Sequence, residues 1–473
     1  MERLNGIITD INDFIWGVPL VVAVFFCGIL LTIRLRFVQV RKLGKALKFI
    51  VKNEDTGSGN ISSFAALCTA LSATVGTGNI VGVATAIGTG GPGALFWMEV
   101  AAFFGMATKY AEGLLAVKYR VKNENGDYIG GPFYYIENGL GSKWKWLAKL
   151  FAVFGLLAGL MGIGTITQIN GITSAANNFF DKDASNTVSL FGRDYTITTI
   201  AAGLIVTVFV ALIVIGGIKR IAKVSEFVVP AMIFVYVACC LVIIFGHITE
   251  VPDAIATIIR SAFGFRQSAG GFAGYAVIKA CMSKGVERGI FSNEAGLGSA
   301  PIASAAARTN EPARQGLVTM TGTFIDTIIV CTMTGLAIVI GGSYNKGLEG
   351  VDITIDAFSY GLPVSDKTAA FIIMVCLSFF AFTTILGWNY YSECCLSYLT
   401  GSNKKASAVF RWLYVAAVFI GPYLTIEAVW SLSGVFNGLM AFPNVIALIA
   451  LSGVVTAETK SYLKRLKEGK AES

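Results

Sequence analysis

Residues 72–93, SATVGTGNIVGVATAIGTGGPG, combine an apolar segment with a cluster of glycines and polar side chains at residues 76–79. Glycine weakens a helix, and backbone groups freed inside a membrane are tolerated only where they face protein, a cavity, or a bound ion and solute. We interpret residues 76–79 as a break in a membrane helix. Gly82, Gly88 and Gly91 are better explained by close helix packing through small residues.

This first break offers groups that bind a cation and a carboxylate. Unwound carbonyls and hydroxyl or amide oxygens coordinate Na⁺, while the N–H groups and positive dipole end of a half-helix bind a carboxylate. Thr77, Asn79 and the backbone of residues 72–75 supply this mixture, and no Arg or Lys stands near them in the sequence. A bound cation is therefore expected to neutralise a substrate carboxylate.

A hydroxyl pair, Thr383 and Thr384 in FFAFTTILGW, lies inside an otherwise aromatic and aliphatic segment. Two hydroxyl oxygens are what the completion of a sodium site requires. The alternative is that each threonine bonds back to the preceding helical turn, and for either residue alone the two interpretations carry equal weight.

Polar amides also interrupt the segment GTITQINGI, which contains Gln168 and Asn170. Such amides hold a substrate amine or carboxylate, or they bond neighbouring helices, which is their commoner use in membrane bundles. Among the aromatic residues, Phe272 is the best candidate to wall a small pocket because it stands in a glycine-rich segment.

Ionisable residues inside apolar segments are functional candidates by default. Asp326 in TFIDTIIV and Glu99 in FWMEVAAF are expected to tune ion binding or to pair within the bundle. Lys279 in AVIKACMS could occupy a position where a cation would otherwise sit, which leaves proton coupling open. Lys109 and Glu112 stand nearer a helix end, can pair along one helix face, and are assigned a structural or gating role.

A second glycine-rich interruption is predicted at residues 268–283, SAGGFAGYAVIKACMS, roughly half the chain after the first. Paired broken segments in two halves indicate an inverted-repeat transporter with its site near the bilayer midplane. The prediction is an extra N-terminal membrane helix with a basic loop, two inverted five-helix repeats, and a basic cytoplasmic tail. These four parts cover residues 1–60, 61–250, 251–457 and 458–473.

The overall composition requires a membrane. Of 473 residues, 55% are hydrophobic and 14% charged, with a mean hydropathy of +0.68. A water-soluble fold could not bury that much apolar surface. Spanning helices need roughly 20 apolar residues each, so we predict an all-α polytopic membrane protein with about eleven transmembrane helices. The apolar segments cover residues 14–33, 61–89, 93–117, 147–176, 196–216, 226–246, 270–286, 316–341, 368–396, 407–426 and 430–456.

The distribution of Lys and Arg predicts the orientation. The first, third and fifth loops are basic, whereas the second has no Lys or Arg. The positive-inside rule therefore places the N-terminus outside and the C-terminus in the cytoplasm of a cell (inner) membrane protein. This topology explains the net charge of +8, so no nucleic-acid partner is expected. The polar, acidic start MERLNGIITDINDF argues against a cleaved signal peptide.

The cysteines and the histidine exclude two other kinds of site. The nine cysteines all lie in or beside apolar segments, where a thiol behaves as a small hydrophobic group, so no disulfide framework is predicted. His247 is the single histidine, and without a Cys/His cluster no transition-metal site is expected.

Two stretches, GTGNIVGVATAIGTGGPGALFWM and SNEAGLGSAPIASAAARTNEPARQGLVTMTGTFIDT, closely resemble signatures of the alanine or glycine:cation symporter family. The resemblance extends nearly end to end. It implies a leucine-transporter-like fold of two inverted five-helix repeats plus an extra first helix, and Na⁺-coupled uptake of alanine or glycine through a central site. The matching pocket residues are Thr77, Gly78, Asn79, Gln168, Asn170 and Phe272. The sodium ligands by the same comparison are carbonyls near Ser72 and Val75 with Thr383 and Thr384.

The stretch NEAGLGSAPIASAAA fits neither a lipid-facing helix nor an ordinary loop. We interpret it as a helix and gate on the cytoplasmic side, where Asn293 and Glu294 close the inner pathway by hydrogen bonds. The alternative, that they cap a short helix, carries at least equal weight.

Other classes of membrane protein fit the sequence less well. A channel usually needs symmetric rings of selectivity residues, and an intramembrane enzyme needs a nucleophile and base or metal ligands. Neither is evident, so no catalysis is expected. The expected partners are a small neutral amino acid, Na⁺ as coupling ion and the lipid bilayer, with no obligatory protein partner. The alternative within the same class is a proton-coupled or exchanging carrier of small amino acids.

Overall fold

A computed structural model describes residues 2–16, 18–52, 57–123, 126–183, 185–190, 193–264, 271–424 and 426–469. Nearly all of these residues lie in helices. The first part of the chain contains two short antiparallel hairpins, a π-helical turn at Gly78–Gly82 and twelve α-helices. The helices are α1 Glu2–Ile15, α2 Val18–Arg34, α3 Val38–Arg41, α4 Leu43–Val51, α5 Ser63–Thr74, α6 Val83–Gly90, α7 Gly93–Lys118, α8 Pro132–Leu140, α9 Lys145–Met161, α10 Ile166–Phe180, α11 Ile197–Val214 and α12 Gly217–Gly246. The hairpins pair β1 Val121–Lys122 with β2 Tyr128–Ile129, and β3 Thr187–Leu190 with β4 Arg193–Thr196.

The second part is also helical and includes a π-helical segment at Phe324–Cys331. Its helices are α13 Val251–Ala262, α14 Gly271–Asn293, α15 Ala300–Ser304, α16 Pro312–Thr323, α17 Thr332–Ile340, α18 Val351–Gly361, α19 Asp366–Thr400, α20 Lys404–Ile420, α21 Ile426–Ala450 and α22 Ser452–Lys467. Short 3₁₀ turns cover Ser142–Trp144, Ser343–Asn345 and Gly421–Tyr423.

Within the described residues, eight helices are long and apolar enough to cross a membrane. A ninth candidate span is the bent pair Ser63–Thr74 and Gly78–Gly90, and Pro19–Arg34 is a shorter apolar helix. The prediction of an all-α polytopic membrane protein is confirmed, while the count of eleven spans and the boundaries of the repeats stay predictions.

Burial separates the central helices from the peripheral ones. The apolar window of α7 is 83% buried inside the protein, whereas that of α11 is 22% buried. Leu204, Ile205 and Val208 on α11 are exposed, as expected of side chains that face lipid. Helices α6, α14 and α16 and the π-helical segment at Phe324–Cys331 pack against α7.

The first predicted break is present. Its two half-helices meet at 53° across residues 75–77. The second break is present at a different place, and over the described residues 271–283 the prediction is wrong. Residues 268–270 lie outside the described residues, and α14 runs without interruption from Gly271 to Asn293. The chain unwinds at residues 294–299, where Glu294, Gly296 and Gly298 have φ of +54°, +89° and +81°. Glycine content alone does not break a helix; left-handed backbone at alternate residues does.

A third irregularity divides the predicted segment 147–176 into α9 and α10 at residues 162–165. Close packing explains this break. A Cβ added to Gly164 would lie 2.5 Å from Trp388 Cβ, so only glycine allows the chain to approach α19 this closely.

The Lys- and Arg-rich loops gather at one end of the bundle, which we call the basic end. There α22 is tied to α7 by the Lys118–Glu458 ion pair at 2.7 Å and to α2 by a hydrogen bond from Arg34 to Ser452 at 2.7 Å. The β3–β4 hairpin and residues 343–352 lie at the opposite end. The basic loops share one end as the positive-inside argument requires, while the side of the membrane on which that end lies stays a prediction.

The segments that precede α5 and follow α15 pair with each other at the basic end. Ile61 and Ala307 form a parallel β-bridge, and the Arg308 N–H donates to the Ile61 carbonyl at 2.7 Å. The Arg120 guanidinium, at the end of α7, lies beside this bridge. It donates at 2.6 to 3.0 Å to the carbonyls of Ser58, Ala305, Ala307 and Thr309. The halves of the two broken helices that lie toward the basic end are thus joined to each other and to α7.

Candidate functional site

Asn79 holds the first break together. Its side chain is fully buried, and its Oδ1 accepts a hydrogen bond from the Gly76 N–H at 2.9 Å. Its Nδ2 donates to Oδ1 of Asp326 at 2.8 Å and to the Asp326 carbonyl at 3.1 Å. Asn79 therefore satisfies a backbone donor that the break sets free and links that break to the π-helical segment in the other half of the chain.

Asp326 extends this network to the end of α14. Its Oδ2 accepts hydrogen bonds from Ser292 Oγ and Thr327 Oγ1, both at 2.8 Å. Asn293 Nδ2 donates to Thr327 Oγ1 at 3.1 Å. The carboxylate thus joins the two broken helices directly. Ser292 and Thr327 were not predicted, although each stands beside a residue that was.

Gln168 reaches the first break from α10. Its Oε1 accepts from the Thr77 N–H at 3.2 Å, and its Nε2 donates to the Ile163 carbonyl at 3.0 Å. Gly78 packs on the other side of the break, where an added Cβ would lie 3.4 Å from Ser292 Cα. Asn170 instead lies near α20, with Nδ2 3.4 Å from the Leu424 carbonyl, and also lines the cavity described below.

The predicted sodium ligands come together in part. Thr384 Oγ1 lies 3.4 Å from the Val75 carbonyl and 3.0 Å from the Phe380 carbonyl. Ser72 is buried against the same stretch of α19, because a Cβ added to Gly387 would lie 2.8 Å from Ser72 Oγ. The Thr383 hydroxyl donates to Phe380 O at 3.0 Å and lies 3.6 Å from a sulfur of α12.

Glu294 stands inside the second break. Trp388 Nε1 donates to its Oε1 at 2.9 Å, and Ser299 Oγ donates to its Oε2. Asn293 caps the turn that follows, since its Oδ1 accepts from the Ala295 N–H at 3.0 Å. Glu294 thus ties the unwound segment to α19, while Asn293 bonds within the turn that follows α14. The gate role and the helix-capping alternative both stay predictions.

Glu112 holds the same segment from α7. Its Oε1 accepts from the N–H groups of Gly296 and Gly298, both at 3.2 Å, and from Asn444 Nδ2 at 2.7 Å. The Tyr135 hydroxyl donates to Asn444 Oδ1. Successive N–H groups that converge on one carboxylate form an anion-binding nest. Asn444 and Tyr135 could not be predicted from the sequence, because they reach the break only through tertiary packing.

A cavity of about 750 Å³ leads from the first break to the opposite end of the bundle. Thr77, Asn170 and Gly171 lie at its inner part, and Asp352 lies at its mouth. Arg288 on α14 also lines it. No Arg or Lys stands near the first break in the sequence, but α14 brings a distant arginine to the wall of the cavity that reaches this break.

The last two predicted residues belong to α14. Lys279 is exposed on the surface of α14. Phe272 falls in the first turn of α14, and its side chain lies outside the described residues.

Two broken helices that meet beside a cavity are typical of secondary transporters. Comparison with known sequences identifies the family of transporters. A model of the sodium:alanine symporter family matches residues 1–473. The chain belongs to the sodium:alanine symporter family. The resemblance inferred from the two signature stretches is thereby confirmed.

Relatives of this symporter-family chain match it nearly end to end. The sodium/alanine symporter AgcS of Methanococcus maripaludis is 45% identical over 465 residues, which cover 97% of each chain. The probable sodium/glutamine symporter GlnT of Bacillus subtilis is 39% identical over 472 residues, which cover 99% of this chain and 93% of GlnT.

A solved structure shares the fold of this family member. The crystal structure of MhsT in complex with L-phenylalanine aligns with a TM-score of 0.56, covering 85% of this chain and 98% of MhsT at 13% identity. The leucine-transporter-like fold is confirmed. The protein is an integral membrane secondary transporter and not an enzyme.

Proposed function

We propose that this protein couples the inward movement of Na⁺ to uptake of a small neutral amino acid, alanine or glycine, by alternating access. The observation that carries the proposal is the first break, where backbone groups, Asn79 and the buried carboxylate of Asp326 meet beside an open cavity. Such a place offers N–H donors for a substrate carboxylate and oxygen ligands for a cation. The names of AgcS and GlnT support sodium coupling and an amino-acid substrate.

The protein packs closely around the first break. A Cβ added to Gly76 would lie 2.5 Å from Thr384 Oγ1, and one added to Gly171 would lie 2.6 Å from Thr77 Cγ2. Even one extra methyl group at either position would contact the walls. We assign Thr77, Gly78, Asn79 and Gln168 to substrate binding at the break itself. Asn170 and Phe272 are proposed for the wall that faces the cavity.

We assign two positions to sodium. The first lies among the carbonyls near Ser72 and Val75 and the hydroxyl groups of Thr383 and Thr384, where the separation of Thr384 Oγ1 from Val75 O gives the strongest support. The second lies at Asp326, whose carboxylate supplies the negative charge that the first position lacks. Hard oxygen ligands of this kind suit an alkali or alkaline-earth cation.

The described arrangement corresponds to access from the opposite end with the basic end closed. The cavity reaches the first break from the opposite end, while Glu294, Trp388 and Glu112 fill the space beneath the breaks with hydrogen bonds. We assign Asn293 and Glu294 to the inner gate. With the basic end in the cytoplasm of a cell-membrane protein, substrate enters from outside.

A proton-coupled or exchanging carrier is the second candidate. The observation that favours it is the presence of three fully buried carboxyl groups, Asp326, Glu294 and Glu112, at the breaks, because buried carboxyl groups can carry protons. Lys279 keeps the coupling role predicted for it only in this alternative.

Uptake of radiolabelled alanine and glycine into proteoliposomes tests the proposal. An inward Na⁺ gradient is compared with an inward K⁺ gradient and with a proton gradient, and protein-free liposomes serve as the control. Uptake that requires Na⁺ is the expected result. Uptake driven by protons without Na⁺ would replace sodium coupling by the second candidate, and no uptake of either amino acid by folded protein would reject the substrate assignment.

A further inference from the structure

Lys109 is buried in the middle of the bundle. Only 2% of its surface is exposed, and its amine has no hydrogen-bond partner among the described residues. A lysine inside a membrane bundle is costly, and such residues mark functional positions more often than structural ones. The mechanism outlined above gives it no role.

The position of Lys109 follows from its neighbours on α7. Gly105, Lys109 and Glu112 have the spacing that places side chains on one helix face. A Cβ added to Gly105 would lie 2.9 Å from Ala295 Cβ and 3.9 Å from Thr323 Cγ2. Glu112 bonds the N–H groups of the second break. Lys109 therefore faces the second break and the end of α16, between these two contacts.

Three buried carboxyl groups lie close enough to the Lys109 amine to interact with it. Lys109 interacts electrostatically with Glu112, Glu294 and Asp326. A fourth carboxylate, Glu99 on the outer half of α7, acts on Asp326. Asp326 in turn holds Asn79 at the first break. Among the described residues, the buried carboxyl groups around the cation position assigned at Asp326 therefore outnumber the lysine amine beside them.

We propose that Lys109 is a built-in counter-charge that sets how tightly the coupling cation binds at Asp326. This assignment rests on the proposed sodium coupling. A fixed ammonium near the carboxylates offsets part of their potential, so that a mobile cation binds firmly enough to enter and weakly enough to leave. Transport requires this balance, since a cation that is held too tightly is not released on the inner side.

The test compares charge variants by the Na⁺ concentration that gives half-maximal alanine uptake. Lys109→Gln leaves the carboxylates less compensated, so the half-maximal Na⁺ concentration falls, on the order of tenfold, for one unit charge between neighbouring helices. Glu112→Gln raises it. The double variant restores the charge balance and returns it toward the wild-type value. Lys118→Gln, on the same helix but at the basic end, leaves it unchanged.

Lys109→Gln and Glu112→Gln are expected to shift the half-maximal Na⁺ concentration in opposite directions. A merely structural role would instead lower the amount of folded protein or the maximal rate in both variants, without opposite shifts. Thermal unfolding in detergent over a range of Na⁺ concentrations gives the same information without transport. Lys109→Met replaces Lys109→Gln if the latter does not fold. An unchanged or raised half-maximal Na⁺ concentration in folded Lys109 variants would overturn the role assigned to Lys109 and leave the proposed function standing. A wild-type protein that ignores Na⁺ would overturn the proposed function together with it.

Discussion

Exchanging the two residues that join the breaks tests the site most directly. Asn79→Asp places a second carboxylate where the Asn79 amide now donates to Asp326 at 2.8 Å. Two carboxylates about 4 Å apart repel by about 4 kcal/mol at an effective dielectric constant of about 20. That energy corresponds to about a thousandfold loss if it falls on the transport-competent state. Asp326→Asn alone removes the charge and is expected to weaken Na⁺ dependence.

The double variant Asn79→Asp with Asp326→Asn restores the charge and the side-chain hydrogen bonds, and it loses only the bond that Asn79 donates to the backbone carbonyl of residue 326 at 3.1 Å. The new carboxylate accepts from the Gly76 N–H and from the new amide, while the hydroxyl groups of Ser292 and Thr327 still meet an oxygen. We expect Na⁺-dependent alanine uptake to return to within about tenfold of the wild type, because the lost interactions are paired and not independent.

Proteoliposome uptake normalised to folded protein is the assay, with thermal unfolding in detergent as the check on folding. Asn178→Asp is the matched control, since Asn178 also donates to an aspartate, Asp352, at 3.2 Å but stands half-buried at the cavity mouth. Solvent screens that pair, so little loss is expected. A double variant as inactive as either single variant, though folded, would refute the reciprocal role of the pair.

Three further substitutions examine other contacts of the site. Gly76→Ala is expected to cost about 1–3 kcal/mol in thermal unfolding and to abolish uptake, because its methyl group would meet the Thr384 hydroxyl; a fully active variant would contradict the close approach. Thr384→Ala should raise the Na⁺ concentration for half-maximal uptake more than Thr383→Ala does, since the Thr384 hydroxyl lies nearer the Val75 carbonyl. Equal effects of the two substitutions would contradict a larger contribution of Thr384 to sodium binding. Trp388→Phe removes the indole donor to Glu294, and a hydrogen bond to a charged group contributes about 1.5–3 kcal/mol. The variant should therefore raise the thiol labelling of a cysteine introduced between this pair and the basic end. Unchanged labelling would exclude a gate at this pair.

The first break could be predicted because its signal is local. An asparagine beside two glycines in an apolar segment has few uses, and Asn79 meets the freed Gly76 N–H three residues away. The second break was misplaced because glycine count favours residues 268–283, whereas the unwinding depends on backbone angles that Glu112 stabilises from another helix. Helix α14 tolerates its glycines because its neighbours supply the packing.

The charges of the site were harder to predict than its polar groups. Arg288 and Lys109 each stand far in sequence from the first break, and only the packing of α14 and α7 brings them to the cavity wall and to the carboxylates. Asp326 was a candidate from its intramembrane position alone, but its partners Asn79 and Ser292 come from two other helices. Spacing within one helix could not have revealed them.

The bridge between Ile61 and Ala307 restricts how the basic end can open. Arg120 bonds four carbonyls on the two segments that form this bridge, so a motion that separated α5 from α15 would break these hydrogen bonds together. In one kind of transport cycle, these hydrogen bonds break and re-form each time. In the other kind, α5, α15 and the end of α7 move as one rigid body, and the basic end opens beside it, where Trp388 of α19 donates to Glu294. A cysteine pair that locks residues 61 and 307 would arrest the first kind of cycle and leave the second running.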